Sequence, residues 1–302
     1  MTNARKLREL LAAPTMVRAP GVYDGITATL AAKAGFPALY MTGAGTSMAR
    51  GFPDFGLLTL TEMAANASMI ARTIPVPLVA DADTGYGNEL NVTRTVMEYE
   101  RGGVAGLHIE DQVSPKRCGH LDGKELVSRD EFVAKIRAAL AARHDPDFVV
   151  IARTDARSVL GFDEAVTRAR LALAAGADLA FIEAPASMEE VEAIPRLVGG
   201  PCLLNIVVAG KTPDIGLPEA QSMGYRIAIM PSLLLSAVMN TIDATLAALR
   251  ETDRPPSSQG QRPVAARFAR FGADHWNSLR TQFRDPETPP IPAELRTPAP
   301  VS

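Results

Sequence analysis

The residues best suited to chemistry lie in one stretch, from Leu107 to His120, which reads LHIEDQVSPKRCGH. A thiol flanked by cations is biased toward the thiolate, and a cysteine–histidine pair can exchange protons with a substrate. We therefore predict catalytic roles for Lys116, Cys118 and His120, with the polar segment 112–128 closing over the site as a lid. The alternative is a solvent-exposed loop that carries an incidental cysteine.

Polar side chains, with a glycine beside one of them, also follow nearly every other apolar run of the chain. They are Thr42 and Gly43, Asp81 and Asp83, His108, Glu110 and Asp111, Arg153 and Asp155, Glu183, and Asn205. Burying such groups unpaired would cost several kcal/mol each. We therefore expect them to meet one another, a metal ion or a charged ligand.

Four carboxylates stand out, three from this set and one from the loop after the second predicted strand, because few histidine or cysteine side chains accompany them. They are Asp54, Asp81, Asp83 and Glu110. Oxygen ligands suit a hard cation, so we predict a Mg2+ site, with Mn2+ as the alternative ion. Asp81 and Asp83 alternate along one predicted strand and can face the same side. The competing interpretation pairs these acids with Arg153 and Arg157, and His108 is either part of the site or a hydrogen-bonded histidine of the core.

The elements that must position these residues follow a repeating pattern of apolar, β-rich runs and helical segments. Continuous apolar runs are typical of parallel strands buried on both faces. The predicted strands are 16–24, 38–43, 77–83, 106–111, 148–155, 179–184, 202–207 and 226–231. The predicted helices between them are 25–35, 60–73, 89–103, 129–143, 162–176 and 187–197. Eight alternations predict an α/β protein with a closed (β/α)8 barrel, in which the strand ends converge on one face. An open doubly wound sheet is the alternative, but no GxGxxG turn follows the first strand.

The remaining segments lie at the two ends of the chain. Residues 1–15 predict a short amphipathic helix, and 232–249 predict a helix after the eighth strand. We expect a catalytic barrel domain over 1–250 and a C-terminal part, 251–302, that serves oligomerisation. In that part a charged joint (251–263) precedes a helix (264–283) and a proline-rich tail (284–302) that is extended or disordered.

Composition excludes several classes of function. The chain has 302 residues and a net charge of −3 without a lysine/arginine stripe, which argues against a nucleic-acid partner. We expect no signal peptide, and no stretch approaches the roughly 18 apolar residues of a membrane span. Two cysteines do not form a disulfide framework, so we expect a cytoplasmic protein. Cys202, inside an apolar strand, is expected to be a packed core thiol.

Seven ordered segments resemble the isocitrate lyase/phosphoenolpyruvate mutase superfamily, most closely its short-chain lyase branch, over about residues 15–250. The segments are YMTGAG (40–45), GFPDFG (51–56), DADTGYG (81–87), GLHIEDQ (106–112), KRCGH (116–120), ARTDA (152–156) and EAP (183–185). The resemblance implies a (β/α)8 barrel, often a homotetramer in which C-terminal helices exchange between neighbours.

The resemblance also implies roles for individual positions. Mg2+ is held directly at the position of Asp81, and the acids at Asp54, Asp83 and Glu110 hold its waters. A keto-acid product lies on the metal, and the lid cysteine, Cys118, protonates the carbanion left by bond cleavage. The predicted substrate-binding residues are Tyr40, Thr42, Gly43, Ala44, Asp81, Arg153, Glu183 and Asn205.

The predicted reaction is a Mg2+-dependent retro-aldol cleavage of a 2-hydroxydicarboxylate, such as a 2-alkylmalate or a 2-methylisocitrate-like acid. The products are pyruvate or another keto acid and a carboxylate. Lys116, Arg117 and Arg153 would stabilise the departing enolate-like fragment. The base that takes the hydroxyl proton is Tyr40, His120 or a metal-bound water.

Departures from the superfamily pattern bear on the substrate. Where members that cleave methylisocitrate usually carry threonine, glutamate and arginine, this chain has Val207, Val208 and Ser236. Valine favours an alkyl substituent over another carboxylate. The segment 205–213 is similar to that of dimethylmalate lyase and oxaloacetate-processing members, so an oxaloacetate decarboxylase is the alternative. A phosphonomutase is disfavoured because mutase members usually lack this cysteine loop, and a barrel that only binds a keto acid is a third interpretation.

Overall fold

Eight parallel strands close into a barrel in the computed structural model, which describes residues 1–257 and 260–284. The strands pair in chain order, and β1 pairs with β8 with Val17 opposite Ile227. They are β1 Val17–Val22, β2 Leu39–Met41, β3 Leu78–Asp81, β4 Gly106–Glu110, β5 Val149–Thr154, β6 Leu179–Ile182, β7 Cys202–Asn205 and β8 Ile227–Met230. The predicted (β/α)8 barrel is confirmed, and the open sheet is excluded.

Helices surround the barrel and continue beyond it. They are α1 Asn3–Ala12, α2 Gly25–Lys33, α3 Gly43–Met48, α4 Leu60–Thr73, α5 Glu89–Arg101, α6 Arg129–Ala142, α7 Ala156–Val159, α8 Phe162–Ala174, α9 Met188–Val198, α10 Leu217–Ser222, α11 Leu233–Thr252, α12 Val264–Ala269 and α13 Ala273–Gln282. The sequence predicted no helix where α3, α7 and α10 lie. The single helix predicted over 264–283 is two helices, because Gly272 adopts a left-handed conformation with φ 83°.

Local sequence signals explain where the surrounding helices begin. Thr59 caps α4 and forms a capping box with Glu62, since each side chain bonds the other residue's backbone amide. Four other helices also begin after a residue whose side chain accepts from a backbone amide of the first turn. They are α2 after Asp24, α5 after Asn88, α6 after Ser128 and α9 after Ser187. The capped ends therefore fix where each helix starts relative to the strand before it.

The barrel interior is filled by alternate residues of the strands. Tyr40, Val79, Ile151, Phe181 and Ile229 belong to one buried cluster, and all are at most 2% exposed. Their neighbours along the strands pack outward against the helices instead, as expected for strands with two buried faces. A filled interior leaves the ends of the barrel as the places where a ligand can bind.

The chain forms two compact units, Met1–Ala244 and Thr245–Ser302, and the first contains the whole barrel. The predicted domain boundary at 250/251 stays a prediction, and the predicted tail from 285 onward lies outside the described residues.

In the part of the chain that the structure describes, α11 is long and apolar enough to cross a membrane, with a mean hydropathy of 1.3. No such stretch was expected from the sequence. Length and composition do not distinguish a membrane span from a helix that packs against another protein surface.

Candidate active site

A cleft of about 320 Å³ opens at the end of the barrel where the strands terminate. It is lined by Tyr40, Thr42, Ala44, Met48, Asp54, Asp81, Cys118, Gly119, His120, Arg153, Glu183, Asn205, Val207, Pro231, Ser232, Leu235, Ser236 and Met239. Most of the predicted site residues are therefore brought together. A cavity of about 360 Å³ between α4 and α5 contains none of them.

Asp81, the last residue of β3, lies at the centre of a hydrogen-bonded group. Its Oδ2 accepts from the Gly43 amide at 3.2 Å and from the Tyr40 hydroxyl at 3.3 Å. Burial opposes ionisation of Asp81, but His108, Lys116 and Arg153 outweigh it and lower the pKa of the carboxyl. Asp81 is therefore a fixed negative charge in the cleft.

His108 lies beneath Tyr40, with Nε2 2.8 Å from the tyrosine hydroxyl oxygen. The histidine is fully buried, and burial lowers its pKa to about 4, so the ring is neutral near pH 7. Burial and the charge of Asp81 raise the pKa of Tyr40 well above its ordinary value. The structure thus shows His108 as a hydrogen-bonded histidine of the barrel that supports Tyr40 from below.

Lys116 carries its charge into the acid cluster rather than to the surface. Its side chain is 3% exposed, and Nζ contacts Asp54 and lies 3.0 Å from Asp83 Oδ1. Burial acts to lower the pKa of Lys116, but Asp83 and Asp54 more than offset it and raise the pKa well above its ordinary value. The ammonium is therefore the counter-charge of two of the four predicted metal-binding carboxylates.

Asp83 does not continue strand β3 as the sequence predicted. The strand ends at Asp81, and Asp83 adopts a left-handed conformation with φ 46°. Its carboxylate still reaches the cluster, through the turn rather than through strand alternation. Burial raises the pKa of Asp83 to about 6. The positive charge of Lys116 opposes this shift, and the negative charges of Asp81 and Asp54 add to it.

The carboxylates fit a hard cation. Burial raises the pKa of Glu110 well above its ordinary value even though Arg153 opposes the shift, and Oε1 of Glu110 has no partner among the described residues. An added positive charge would relieve both features. The described part of the chain contains no group of three acid, histidine or cysteine side chains that could hold an ion directly. An ion held by one carboxylate and by retained waters does not need such a group.

Arg153 is the cation at the opposite side of the cleft. Its Nε lies 3.1 Å from Glu110 Oε2 and 3.0 Å from Asp155 Oδ2, and its Nη2 lies 3.5 Å from Glu183 Oε2. Arg157, the other candidate partner for the acids, pairs with Glu190 instead, at 2.8 Å. Ion pairing within the site therefore involves Arg153 and not Arg157.

The lid places Cys118 in the cleft. The Cys118 amide donates to the Asp54 carbonyl at 3.1 Å, and an added Cβ on Gly119 would collide with Arg153 and Glu183. Only glycine therefore lets the lid backbone lie this low. Burial, followed by the charge of Asp54, raises the pKa of the Cys118 thiol, so the predicted bias toward thiolate is wrong. Neighbouring cations in the sequence do not act on Cys118 as strongly as its burial does.

His120 joins the lid to the ends of β6 and β7. Its Nε2 lies 2.9 Å from Glu183 Oε1, and Asn205 Nδ2 donates to both Glu183 oxygens at 3.1 and 3.2 Å. Burial opposes ionisation of Glu183, but Arg153 and His120 outweigh it and lower the pKa of the carboxyl. Glu183 is therefore an anionic anchor for both the lid and Arg153.

Several supporting residues were not found from the sequence. Lys124 Nζ is buried, donates to the Gly119 carbonyl, and lies 3.5 Å from Asp155 Oδ1. Asp111, predicted only as a polar strand-end residue, accepts from the Thr154 hydroxyl at 2.6 Å and pairs with Arg168 at 3.0 Å. A lysine in a polar loop and an arginine on a helix give no sequence signal of such burial.

The three positions that depart from the superfamily pattern do not all lie in the cleft. Val207 and Ser236 line the cleft, whereas Val208 is 70% exposed and lies outside the lining. Met48, Leu235 and Met239 complete the apolar side of the cleft. Two of the three departures, and not Val208, can therefore contact a bound molecule.

A closed (β/α)8 barrel with charged groups clustered at the carboxyl ends of its strands is the arrangement typical of (β/α)8 barrel enzymes. Residues 7–250 match the family model described as phosphoenolpyruvate phosphomutase, and the chain belongs to this family within the isocitrate lyase/phosphoenolpyruvate mutase superfamily.

Named relatives cover most of the chain. It is 47% identical over 254 residues to 2,3-dimethylmalate lyase of Eubacterium barkeri, covering 84% of this chain and 88% of the relative. It is 46% identical to 2-methylisocitrate lyase of Aeropyrum pernix, covering 81% and 79%. A solved structure of oxaloacetate acetylhydrolase with the inhibitor 3,3-difluorooxalacetate superposes with a TM-score of 0.90 at 43% identity, covering 94% and 97%.

Proposed function

We propose that this protein is a carbon–carbon lyase that cleaves a 2-hydroxydicarboxylate into a keto acid and a carboxylate. The observation that carries the proposal is the position of the Cys118 thiol, kept protonated by burial, in the same cleft as Asp81 and Arg153. The names of the two lyase relatives point to the same reaction class.

The proposed reaction begins with removal of the substrate's hydroxyl proton and breaks the bond between C2 and C3. Arg153 keeps its positive charge because Asp155 and Glu110 outweigh the effect of burial and raise its pKa. It can therefore bind a substrate carboxylate and stabilise charge on the departing fragment. The Cys118 thiol supplies a proton to the carbanion of that fragment. A thiol with a raised pKa is suited to this step because it holds its proton until a strong base forms.

Tyr40 is the protein group best placed to take part in the first proton transfer. Its hydroxyl donates to Asp81 Oδ2 and lies 2.8 Å from Nε2 of the neutral His108, which can accept the tyrosine proton once the hydroxyl turns from Asp81 to the imidazole. His120 is less suited to this role because its Nδ1 already accepts from the Lys211 amide and its Nε2 lies 2.9 Å from the Glu183 carboxylate.

The residues that would hold Mg2+ or Mn2+ are Asp81 directly and Asp54, Asp83 and Glu110 through water. When bound, the ion supplies a positive charge that stabilises negative charge on the substrate oxygen. The unpartnered Glu110 oxygen and the raised pKa of Asp83 support such an ion.

The cleft favours an alkyl substituent on the substrate. Val207, Leu235 and Met239 present apolar surface, and Ser236 contributes a neutral hydroxyl rather than a cation that could bind a third carboxylate. A hydrophobic side discriminates by about 1–3 kcal/mol for each methylene group. We propose that 2-alkylmalates are better substrates than methylisocitrate.

The test is a substrate screen in which keto-acid release is coupled to lactate dehydrogenase. 2,3-Dimethylmalate, citramalate and methylisocitrate are assayed with Mg2+, with Mn2+ and after chelation. We expect the highest kcat/KM with an alkylmalate and loss of turnover on chelation, restored by adding the ion back. Turnover of none of these acids, or full turnover in chelator, would contradict the proposal.

Oxaloacetate is the second candidate substrate, supported by the match to oxaloacetate acetylhydrolase. Its products distinguish the reactions: hydrolysis gives oxalate and acetate, whereas the decarboxylation suggested by the sequence gives pyruvate and carbon dioxide. Oxaloacetate turnover far above that of every alkylmalate would select this candidate.

We also propose a homotetramer in the cytoplasm. Support for self-association comes from exposed apolar residues on α11, with Val238 39%, Met239 48% and Ile242 50% exposed. Among the described residues Cys118 and Cys202 are both free, which suits a reducing compartment. Sedimentation of the full-length protein, and of an Ile242→Asp variant, tests the assembly. A monomeric wild type would contradict it.

A further inference from the structure

The segment after β7, residues 206–216, lies against the lid, and apart from Val207 it has no role in the reaction described above. The Lys211 amide donates to His120 Nδ1 at 2.9 Å. The Lys211 ammonium lies 2.5 Å from Asp122 Oδ1. These contacts join two segments that are about ninety residues apart in sequence, and both involve lid residues.

Gly210 makes this approach possible. An added Cβ would lie 2.8 Å from His120 Nδ1 and 2.9 Å from Cε1, closer than carbon atoms normally come to such neighbours. The preceding residue, Ala209, holds a left-handed conformation with φ 60°. Residues other than glycine rarely adopt it. The segment therefore keeps an unusual backbone where it meets the imidazole.

The amide contact determines where the proton of a neutral His120 lies. A backbone N–H can only donate, so Nδ1 accepts and carries no proton. The proton of the neutral ring is then on Nε2, which lies 2.9 Å from Glu183 Oε1. The segment thus fixes both the orientation and the tautomer of His120.

We propose that Gly210 and the backbone amide of Lys211 are positioning groups, and that segment 206–216 holds His120, and with it the nearby Cys118, in the closed position of the lid. The role in turnover rests on the proposed lyase function, but the contact between segment and lid does not. The Lys211–Asp122 ion pair contributes little because Asp122 is 94% exposed. The backbone contact and the space at Gly210 carry the effect.

The first experiment measures lid position without any substrate. The rate at which iodoacetamide alkylates Cys118 is compared in the full-length wild type and in Gly210→Ala, with Cys118→Ser giving the background from Cys202. The matched control is Gly216→Ala, because a Cβ there meets nothing closer than 3.8 Å. Losing one hydrogen bond shifts an equilibrium by roughly two- to tenfold, so we expect Gly210→Ala to raise the rate by that factor. Gly216→Ala and Lys211→Met should stay near wild type.

The second experiment tests the contact from the lid side and does not depend on whether Gly210→Ala folds. Hydrogen–deuterium exchange of the peptide covering 206–216 is compared in wild type, in His120→Ala and in His144→Ala, an exposed histidine elsewhere. We expect faster exchange in His120→Ala alone. Unchanged exchange in His120→Ala, or unchanged alkylation in a folded Gly210→Ala, would overturn the proposal.

Turnover separates a positioning role from a structural one. On the best substrate, Gly210→Ala should lower kcat by roughly two- to tenfold with a smaller change in KM and an unchanged melting temperature. A fall in melting temperature that accounts for the lost activity would overturn the positioning role. If no substrate is turned over by the wild type, the lyase proposal fails, while alkylation and exchange still decide whether the segment holds the lid.

Discussion

The two ends of the barrel both bury charge, but they treat it differently. At the base, Asp178 accepts from Arg8 at 3.0 Å, from Arg143 at 3.2 Å and from the Val150 amide at 2.8 Å. At the mouth, Glu110 Oε1 has no partner among the described residues, and the pKa of Asp83 is raised to about 6. The acid at the base has partners for its charge, whereas the acids at the mouth carry more negative charge than the neighbouring cations neutralise.

The difference shows which charges serve the fold and which serve a ligand. A partly buried acid with complete partners holds α1, the end of α6 and β5 together and needs nothing further. Buried acids without complete partners destabilise the protein and persist where a bound group completes them. Mutations at the base should therefore act on stability, and mutations at the mouth on activity and on the pH dependence of stability.

The largest expected effect is on activity at the mouth. Cys118→Ser should lower kcat on the best substrate by roughly 10²- to 10⁴-fold, because a serine hydroxyl is a much poorer proton donor than the thiol. The melting temperature should not change. The matched control is Cys202→Ser, a buried thiol in β7 outside the cleft, which should keep kcat. Full turnover of Cys118→Ser would remove the thiol from the mechanism.

At the base, Asp178→Ala should lower the free energy of unfolding by about 3 kcal/mol, because two arginines and a backbone amide lose their acceptor. The measurement is urea unfolding, alongside kcat of the folded variant at saturating substrate. We expect kcat to stay within about twofold of wild type. A variant that keeps its stability but loses activity would reverse the proposed contrast between the two ends.

The pH dependence of stability should reveal the excess charge at the mouth. Since the folded pKa of Asp83 is raised from 3.8 to about 6, the native state holds this proton more tightly than the unfolded chain. Stability from this group is present below pH 3.8 and is lost as pH rises through about 6. Asp83→Asn lacks this loss. In the presence of chelator, the free energy of unfolding of Asp83→Asn relative to that of wild type should therefore increase by about 2 kcal/mol as the pH rises from 4 to 7. Parallel curves of stability against pH for the two proteins would show that folding does not raise the pKa of Asp83.

The smallest effect is expected at Glu164 in the first turn of α8, which does not line the cleft. Arg129 and Arg168 lower the pKa of Glu164 from 4.5 to about 2, although burial opposes the shift. The stability from Glu164 is therefore present above pH 4.5 and is lost as pH falls toward 2. In Glu164→Gln the unfolding midpoint should fall slightly less steeply than in wild type as the pH drops below 4.5. Activity at pH 7 should be unchanged. A larger change than that of Asp178→Ala would contradict the ranking.

The barrel could be predicted because its signal repeats. Each of the eight apolar runs coincides with a strand, since strands buried on both faces must be continuously apolar. The short helices α3, α7 and α10 could not be predicted, because four to six residues give too little periodicity to recognise.

The site was predicted less completely because burial is a property of the fold. The sequence identified the types and positions of Asp81, Cys118 and Arg153, which the cleft brings together. It gave the wrong ionisation for Cys118, because two neighbouring cations were visible and the burial of the thiol was not. The contact between His120 and Lys211 spans two loops, and no local pattern indicates it.

The location of Lys116 has a consequence for the order in which charged molecules enter. Lys116 belongs to the same segment as Cys118 and pairs with Asp54 and Asp83. If this segment acts as the predicted lid, lifting it would take the ammonium away from both carboxylates and leave the mouth more negative. Cations would then be drawn in before closure, and anions would be held after it.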